Sequence, residues 1–238
     1  VSKLTGKNEE TLYQDLKGVI FLNPLYGYGN VTEAKYLMAD EYLSGNVREK
    51  LITAKKSAEV YPEDYKINVE ALEKVQPIDL TASEISVRLG ATWLPQEVIQ
   101  QFMFEFLDTP RYAQWNIKVH FSPYTGEWNI EGKSYDRSNV KAYSTYGTGR
   151  INAYKIIEET LNLKDVRIFD YIEDDEGRKK AVLNKKETAI AQAKQELIKQ
   201  GFQDWIWADP ERREKLTKMY NEKFNSIRPR EYDGSHIT

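Results

Sequence analysis

Apolar residues recur along this chain with two periods, and each change of period marks an element. An unbroken apolar run from Gly18 to Leu22 predicts a buried strand, and the Asn23-Pro24-Leu25-Tyr26 stretch behind it predicts a loop. Asn46 and Glu49 form a capping box for a helix that carries Leu51, Ala54, Ala58 and Tyr61 on one face and is closed by Pro62. A second amphipathic helix runs from Tyr65 to Val75 and stops before Pro77. Thr81 and Glu84 read as another capping box, with Ala82, Ile85 and Leu89 as the inner stripe of a helix that Gly90 ends. Pro95 starts the next helix, whose apolar side is Val98, Ile99, Phe102, Phe106 and Leu107.

After Pro110 the period drops to two. Trp115, Ile117, Val119 and Phe121 alternate with polar residues, Ser122 to Gly126 turn the chain, and Glu127 to Glu131 return as the second strand of a hairpin. Residues 132–150 read as a polar loop, and Arg150 to Leu161 as a helix. A second hairpin is predicted from Val166 to Ile172 and Arg178 to Leu183, around the turn Asp174-Asp175-Glu176-Gly177. Asn184 and Glu187 cap a long helix expected to bury Ile190, Ala193, Leu197 and Ile198. Asp209 and Pro210 start a last helix reaching about Asn225. Its stripe of Leu216, Met219, Tyr220 and Phe224 must be buried, and the Trp205–Trp207 corner is the expected cover. From Arg228 the tail should be extended.

Helices and strands are segregated rather than alternating, so the fold class is α+β. It is mainly helical with two β-hairpins, one following a helix-turn-helix-like pair in winged-helix-like order. Three segments are expected: a strand, loop and helical segment over 1–78, the helix pair plus β-hairpin over 79–148, and a helix, hairpin and helix over 149–238.

Composition narrows the function. The 34 basic and 37 acidic side chains leave a net charge of −3, which excludes a histone-like surface but not a local basic patch. With no cysteine, zinc sites built on thiolates, thiol catalysis and iron–sulfur clusters are excluded, and two histidines make a His-rich metal site an unsupported choice. Absent cysteine also fits a reducing, cytoplasmic setting. No apolar stretch is long enough to span a membrane. The chain begins Val1-Ser2-Lys3 and reads as a piece of a longer polypeptide.

Four candidate sites follow from the residues. Asn23-Pro24-Leu25-Tyr26 is one position away from the Asn-Pro-Pro-Tyr loop with which amino-methyltransferases hold a flipped base, but too little chain precedes it to supply a glycine loop for the methyl donor, and a proline turn after a strand is the favoured reading. The helix after Pro95 occupies the place of a recognition helix, yet its exposed face of Gln96, Glu97, Gln100, Gln101 and Glu105 has no cation to meet phosphate, which favours a structural role. Gly147-Thr148-Gly149-Arg150 precedes a helix but lacks the phosphate-loop Lys and Ser/Thr. Around it, Lys133, Arg137, Lys141, Arg150 and Lys155 are interleaved with Tyr135, Tyr143 and Tyr146, a mixture suited to a nucleic-acid backbone; the alternative is a solvated loop. Arg228 and Arg230 add cations in the tail. The expected DNA-binding set is therefore Lys133, Arg137, Lys141, Arg150, Arg228 and Arg230, with no catalytic residue, metal or cofactor.

The stretches Ala39 to Leu51, Leu80 to Trp93, Trp205 to Arg213 and Tyr220 to Asn225, followed by Arg228 to His236, resemble as a set the middle region of very large proteins of bacterial mobile elements and phages. Those proteins join an N-terminal adenine-specific DNA methyltransferase to a C-terminal Swi/Snf-like, superfamily-two helicase. The resemblance implies a non-catalytic connecting and DNA-engaging region whose partners are DNA and the flanking methyltransferase and helicase domains. The alternative is a purely structural protein-interaction module without DNA contact.

Overall fold

A computed structural model of the chain describes residues 6–27, 33–173 and 178–231. The chain divides into two compact units, one formed by residues up to 81 together with those from 218 onward, the other by 82–217. The α+β class holds, with short antiparallel two-stranded pairs set among helices. The expected turn at 174–177 and the stretch from Tyr232 to His236 lie outside the described residues.

In the first unit, helix α1 (Glu9–Asp15) leads to strand β1 (Ile20–Leu22), which pairs antiparallel with β2 (Tyr36–Met38). A short helix α2 (Ala39–Tyr42) and strand β3 (Gly45–Asn46) precede the helical hairpin α3 (Val47–Val60) and α4 (Pro62–Lys74). Asn46 caps α3 by accepting from the Glu49 N–H at 3.1 Å. Phe21, Tyr42, Val47, Ala54 and Leu72 form the core, with the Phe21 and Tyr42 rings stacked at 5.0 Å. Buried Asn68 donates to the Leu22 carbonyl at 2.8 Å and to the Tyr42 hydroxyl at 2.9 Å, tying α4 to β1. The tail returns here: β8 (Ile227–Arg228) pairs with β3. Arg48 then donates to the Asn225 carbonyl at 2.8 Å and ion-pairs with Asp79 at 2.5 Å.

The second unit has one core running from Val87 to Leu216, so residues before and after 148 share it and the expected break there is not a boundary between units. Its elements are α5 (Gln96–Phe106), α6 (Arg111–Gln114), the hairpin β4 (Lys118–Ser122) and β5 (Glu127–Glu131), and a π-helical turn over Lys141–Thr145. Then come α7 (Ala153–Leu161), the hairpin β6 (Phe169–Glu173) and β7 (Lys179–Leu183), α8 (Lys185–Ile206) and α9 (Pro210–Phe224), the last part of which belongs to the first unit.

Three expectations fail for identifiable reasons. No helix forms over 81–90: Ile85, Val87 and Leu89 are buried while Ser86 and Arg88 are exposed, a period of two that the buried Val87 imposes. The helix-turn-helix-like pair therefore lacks its first member. In α8 the expected inner stripe is largely outside, with Ile190 40 % and Leu197 53 % exposed. The buried stripe runs instead through Thr188, Ala191, Gln195, Ile198, Phe202 and Ile206. Its polar members bind backbone: Gln195 accepts from the Val166 N–H at 3.1 Å and donates to the Lys164 carbonyl at 2.8 Å, and Thr188 accepts from the Ile168 N–H at 3.0 Å. In α9, Leu216 is buried but Phe224 is 52 % exposed. The inward residue there is Asn221, whose carboxamide takes the Leu80 N–H at 2.8 Å and gives to the Leu80 carbonyl at 2.9 Å.

Candidate functional site

The face of α5 that would read DNA is spent on the hairpin beside it. Gln96 accepts from the Phe121 N–H at 3.3 Å and Gln100 from the Val119 N–H at 3.1 Å, so two glutamines close the outer edge of β4. Glu105 accepts from the Trp205 indole at 2.6 Å. Gln96, Gln100, Gln101 and Glu105 of that face thus have structural partners, Gln101 by donating to Glu105 at 2.7 Å.

The Asn23 loop is equally self-contained. Asn23 is 3 % exposed. Its amide nitrogen donates to the Ala34 carbonyl at 3.0 Å and to Glu33 at 3.3 Å, and its oxygen accepts from the Leu25 N–H at 3.0 Å. Both ends of the carboxamide thus hold a proline turn after β1, rather than facing a base.

Of the five cations between 133 and 155, four stand beside an acid, and two of these meet on α7. Lys133 and Lys155 reach Glu158 from two sides at 2.6 Å, and the Ile130 N–H donates to the same carboxylate at 2.7 Å. Burial works to raise the Glu158 carboxyl, but the hydrogen bonds from Lys133, Lys155 and Ile130 outweigh it and hold the group below the ordinary carboxylate value. Lys141 pairs with Asp108 at 2.5 Å, and Arg150 with Asp170 at 2.8 Å. The Arg150 and Asn184 hydrogen bonds lower the Asp170 carboxyl. Arg137 is exposed and has no ion pair among the described residues. Below it, fully buried Asp136 accepts from the Tyr154 hydroxyl and from Asn139, both at 2.6 Å. Burial, then the neighbouring Asp136, pushes the Tyr154 hydroxyl well up. The tail cations belong to the first unit: Arg230 pairs with Asp40 at 2.6 Å and Arg228 with Glu231 at 3.0 Å.

At the Trp205–Trp207 corner, both tryptophans pack against the core cluster that includes Leu216 of α9, and an arginine closes it further. The Arg212 guanidinium lies 3.5 Å from the centre of the Trp205 ring and donates to the Trp205 carbonyl at 2.6 Å, capping the end of α8. Among the described residues, no group of three or more His, Asp or Glu could hold a metal ion, and no helix is long and apolar enough to cross a membrane.

The family model of a domain of unknown function, DUF8437, matches residues 88–226, more than half of the chain. The chain belongs to that family. The DUF8437 span takes in nearly all of the second unit and extends into the part of α9 that joins the first. No curated protein and no solved structure matches the chain.

Within the DUF8437 span, sequence reasoning missed the most unusual surface. Every described residue of the β6–β7 hairpin except half-buried Asp170 is exposed, among them Phe169, Tyr171, Ile172, Val182 and Leu183. Phe169, Tyr171, Ala181 and Leu183 are cross-strand partners and share one face. Arg150 covers the start of the β6 edge by donating to the Phe169 carbonyl at 2.9 Å, whereas no strand pairs with the outer edge of β7 among the described residues. Lys179 and Lys180 within β7, and Lys185 and Lys186 just after it at the start of α8, are exposed and without an ion pair among the described residues. The available signal was Phe169, Tyr171 and Ile172 in one strand and Val182 and Leu183 in the other, without a second apolar element to cover them.

Proposed function

We propose that this DUF8437 chain is a non-catalytic docking module that takes up an acidic, extended protein segment along β7, inside a larger DNA-processing protein of the kind it resembles. The β6–β7 hairpin carries the reading. An isolated two-stranded hairpin is at best marginally stable in water, and its open edge offers a row of backbone donors and acceptors. An added strand would take those groups, cover the apolar face and meet the four lysines with its own acids. A cytoplasmic setting goes with this reading.

The test is hydrogen exchange on the purified chain with a short peptide alternating valine and glutamate. Residues 179–183 should gain protection, and Lys179→Glu with Lys180→Glu should abolish it. Protection confined to other segments, or none at all, would remove the reading.

A second reading, DNA engagement through 133–155, is favoured by one observation, the exposed Arg137. It requires a salt-dependent DNA shift that weakens equally for all sequences when Arg137, Lys141 and Arg150 are replaced together, because phosphate contacts do not specify sequence. Unchanged binding by that triple variant rejects it.

A further inference from the structure

The cations of the second unit fall into two classes. Lys133, Lys141, Arg150 and Lys155 each have a carboxylate within 2.8 Å. Arg88 and Lys164, by contrast, have no ion-pair partner among the described residues, and both line one cleft of about 330 Å³ together with Lys199. The three come from separate stretches of chain, so sequence spacing gives no hint of their meeting.

Each stands on fixed backbone. Arg88 occupies the outward position between buried Val87 and Leu89. On one side the Gln203 amide donates to the Val87 carbonyl at 2.6 Å. On the other, Gly90 has φ +97°, and a Cβ there would lie 2.5 Å from the Leu161 carbonyl oxygen, so the segment is wedged against the end of α7. Lys164 donates its N–H to the Glu159 carbonyl at 2.9 Å and gives its own carbonyl to Gln195 at 2.8 Å. Lys199 follows Gln195 by one turn of α8 and is held by Glu196 at 2.7 Å. Leu89 and Leu163 supply apolar wall, and Asp165 is the one acid in the lining. The polar floor is already satisfied, since Gln195 also donates to the Thr160 hydroxyl at 3.0 Å. What remains open to a ligand is the Arg88 guanidinium and the Lys164 ammonium, with the Glu196-paired ammonium of Lys199 beside them, lining a cavity of small-ligand size.

We propose that this cleft binds a phosphoryl-bearing anion of two or more negative charges. Arginine offers a fork that matches two phosphoryl oxygens, and the lysines supply point charges at either side. Such an anion could be a free polyphosphate or nucleotide, or the backbone of a nucleic acid; the recognition chemistry is shared. The site is separate from the β7 edge, so it stands or falls independently of the docking reading.

Isothermal titration of the whole chain with tripolyphosphate and with ADP, and anisotropy of a labelled single-stranded oligonucleotide, test it. At least one should bind, with Arg88→Ala weakening it about tenfold and Lys164→Ala severalfold, as expected for loss of charge-assisted hydrogen bonds. Both residues are exposed, so melting should not change, and Lys56→Ala in the first unit should bind as wild type. Displacement of tripolyphosphate by the oligonucleotide assigns the site to a nucleic-acid backbone; tripolyphosphate or ADP binding without displacement assigns it to a free phosphorylated molecule. Absence of binding at millimolar ligand, or equal binding by wild type and both variants, overturns the proposal.

Discussion

The two hairpins of the second unit have the same length of strand and the same antiparallel pairing, yet opposite surroundings. In β4–β5, Val119, Trp128 and Ile130 are buried, and both outer edges are closed by side chains of helices. Gln96 and Gln100 close β4 from α5; Glu158 and Asn162 close β5, Asn162 by accepting from the Trp128 N–H at 2.9 Å and donating to the Trp128 carbonyl at 2.8 Å. In β6–β7 nearly every side chain is exposed and one edge is open. A hairpin becomes part of a core when helices present amides and carboxylates at the spacing of its free backbone groups. Where they do not, it is left as a surface.

That contrast can be broken from its strong side first. Trp128→Ala should destabilise the second unit by about 3–5 kcal/mol in denaturant unfolding, the usual cost of removing a large buried aromatic. A loss below about 1 kcal/mol would mean that β4–β5 is as peripheral as β6–β7. Glu158→Gln should cost about 2 kcal/mol near neutrality, because two lysines and the Ile130 N–H lose a charged acceptor. Its pH signature is specific. The folded-state carboxyl lies below its ordinary value of 4.5, so its stabilisation is present above that value and is lost as pH falls through the folded one. The variant should therefore show a flatter acid limb in a plot of stability against pH; an unchanged limb would refute the linkage. Gln100→Ala exposes the Val119 N–H at the β4 edge and should cost about 1 kcal/mol, measured by unfolding and by faster exchange of that amide. The smallest effect belongs to the open hairpin: Tyr171→Ala, at a side chain 73 % exposed, should shift stability by less than about 0.5 kcal/mol. A larger loss would show that the hairpin is already covered within the chain.

Much of this architecture was legible because its signals are local. The caps at Asn46, Asn184 and Asp209 act within one turn, and the strands of both hairpins alternate or cluster apolar residues beside a turn. What was not legible depends on distant partners. Strand β3 is two residues long and exists only because Ile227 and Arg228 return to it. The buried face of α8 contains Thr188 and Gln195, which a reading by apolarity puts outside; they belong inside because the backbone of 164–168 needs their hydrogen bonds. The candidate cations were visible as charges, but the acids that meet Lys141 and Arg150, Asp108 and Asp170, lie well away in sequence. Conversely, nothing in the spacing of Arg88, Lys164 and Lys199 along the chain indicates that they line one cleft.

The pairing of β3 with β8 has a consequence for synthesis. Arg48 finds the carbonyl of Asn225 across 177 positions of chain, and every such partner leaves the ribosome after the whole of 82–217. The intervening unit has its core complete within its own span and can condense while the first waits. Until the last strand emerges, the β3 edge remains open to solvent and to other chains, and Arg48 has only Asp79 and the Pro77 carbonyl as partners. A stop codon placed before Ser226 should therefore leave the larger unit folded and turn the smaller one into the aggregation-prone end of the nascent protein.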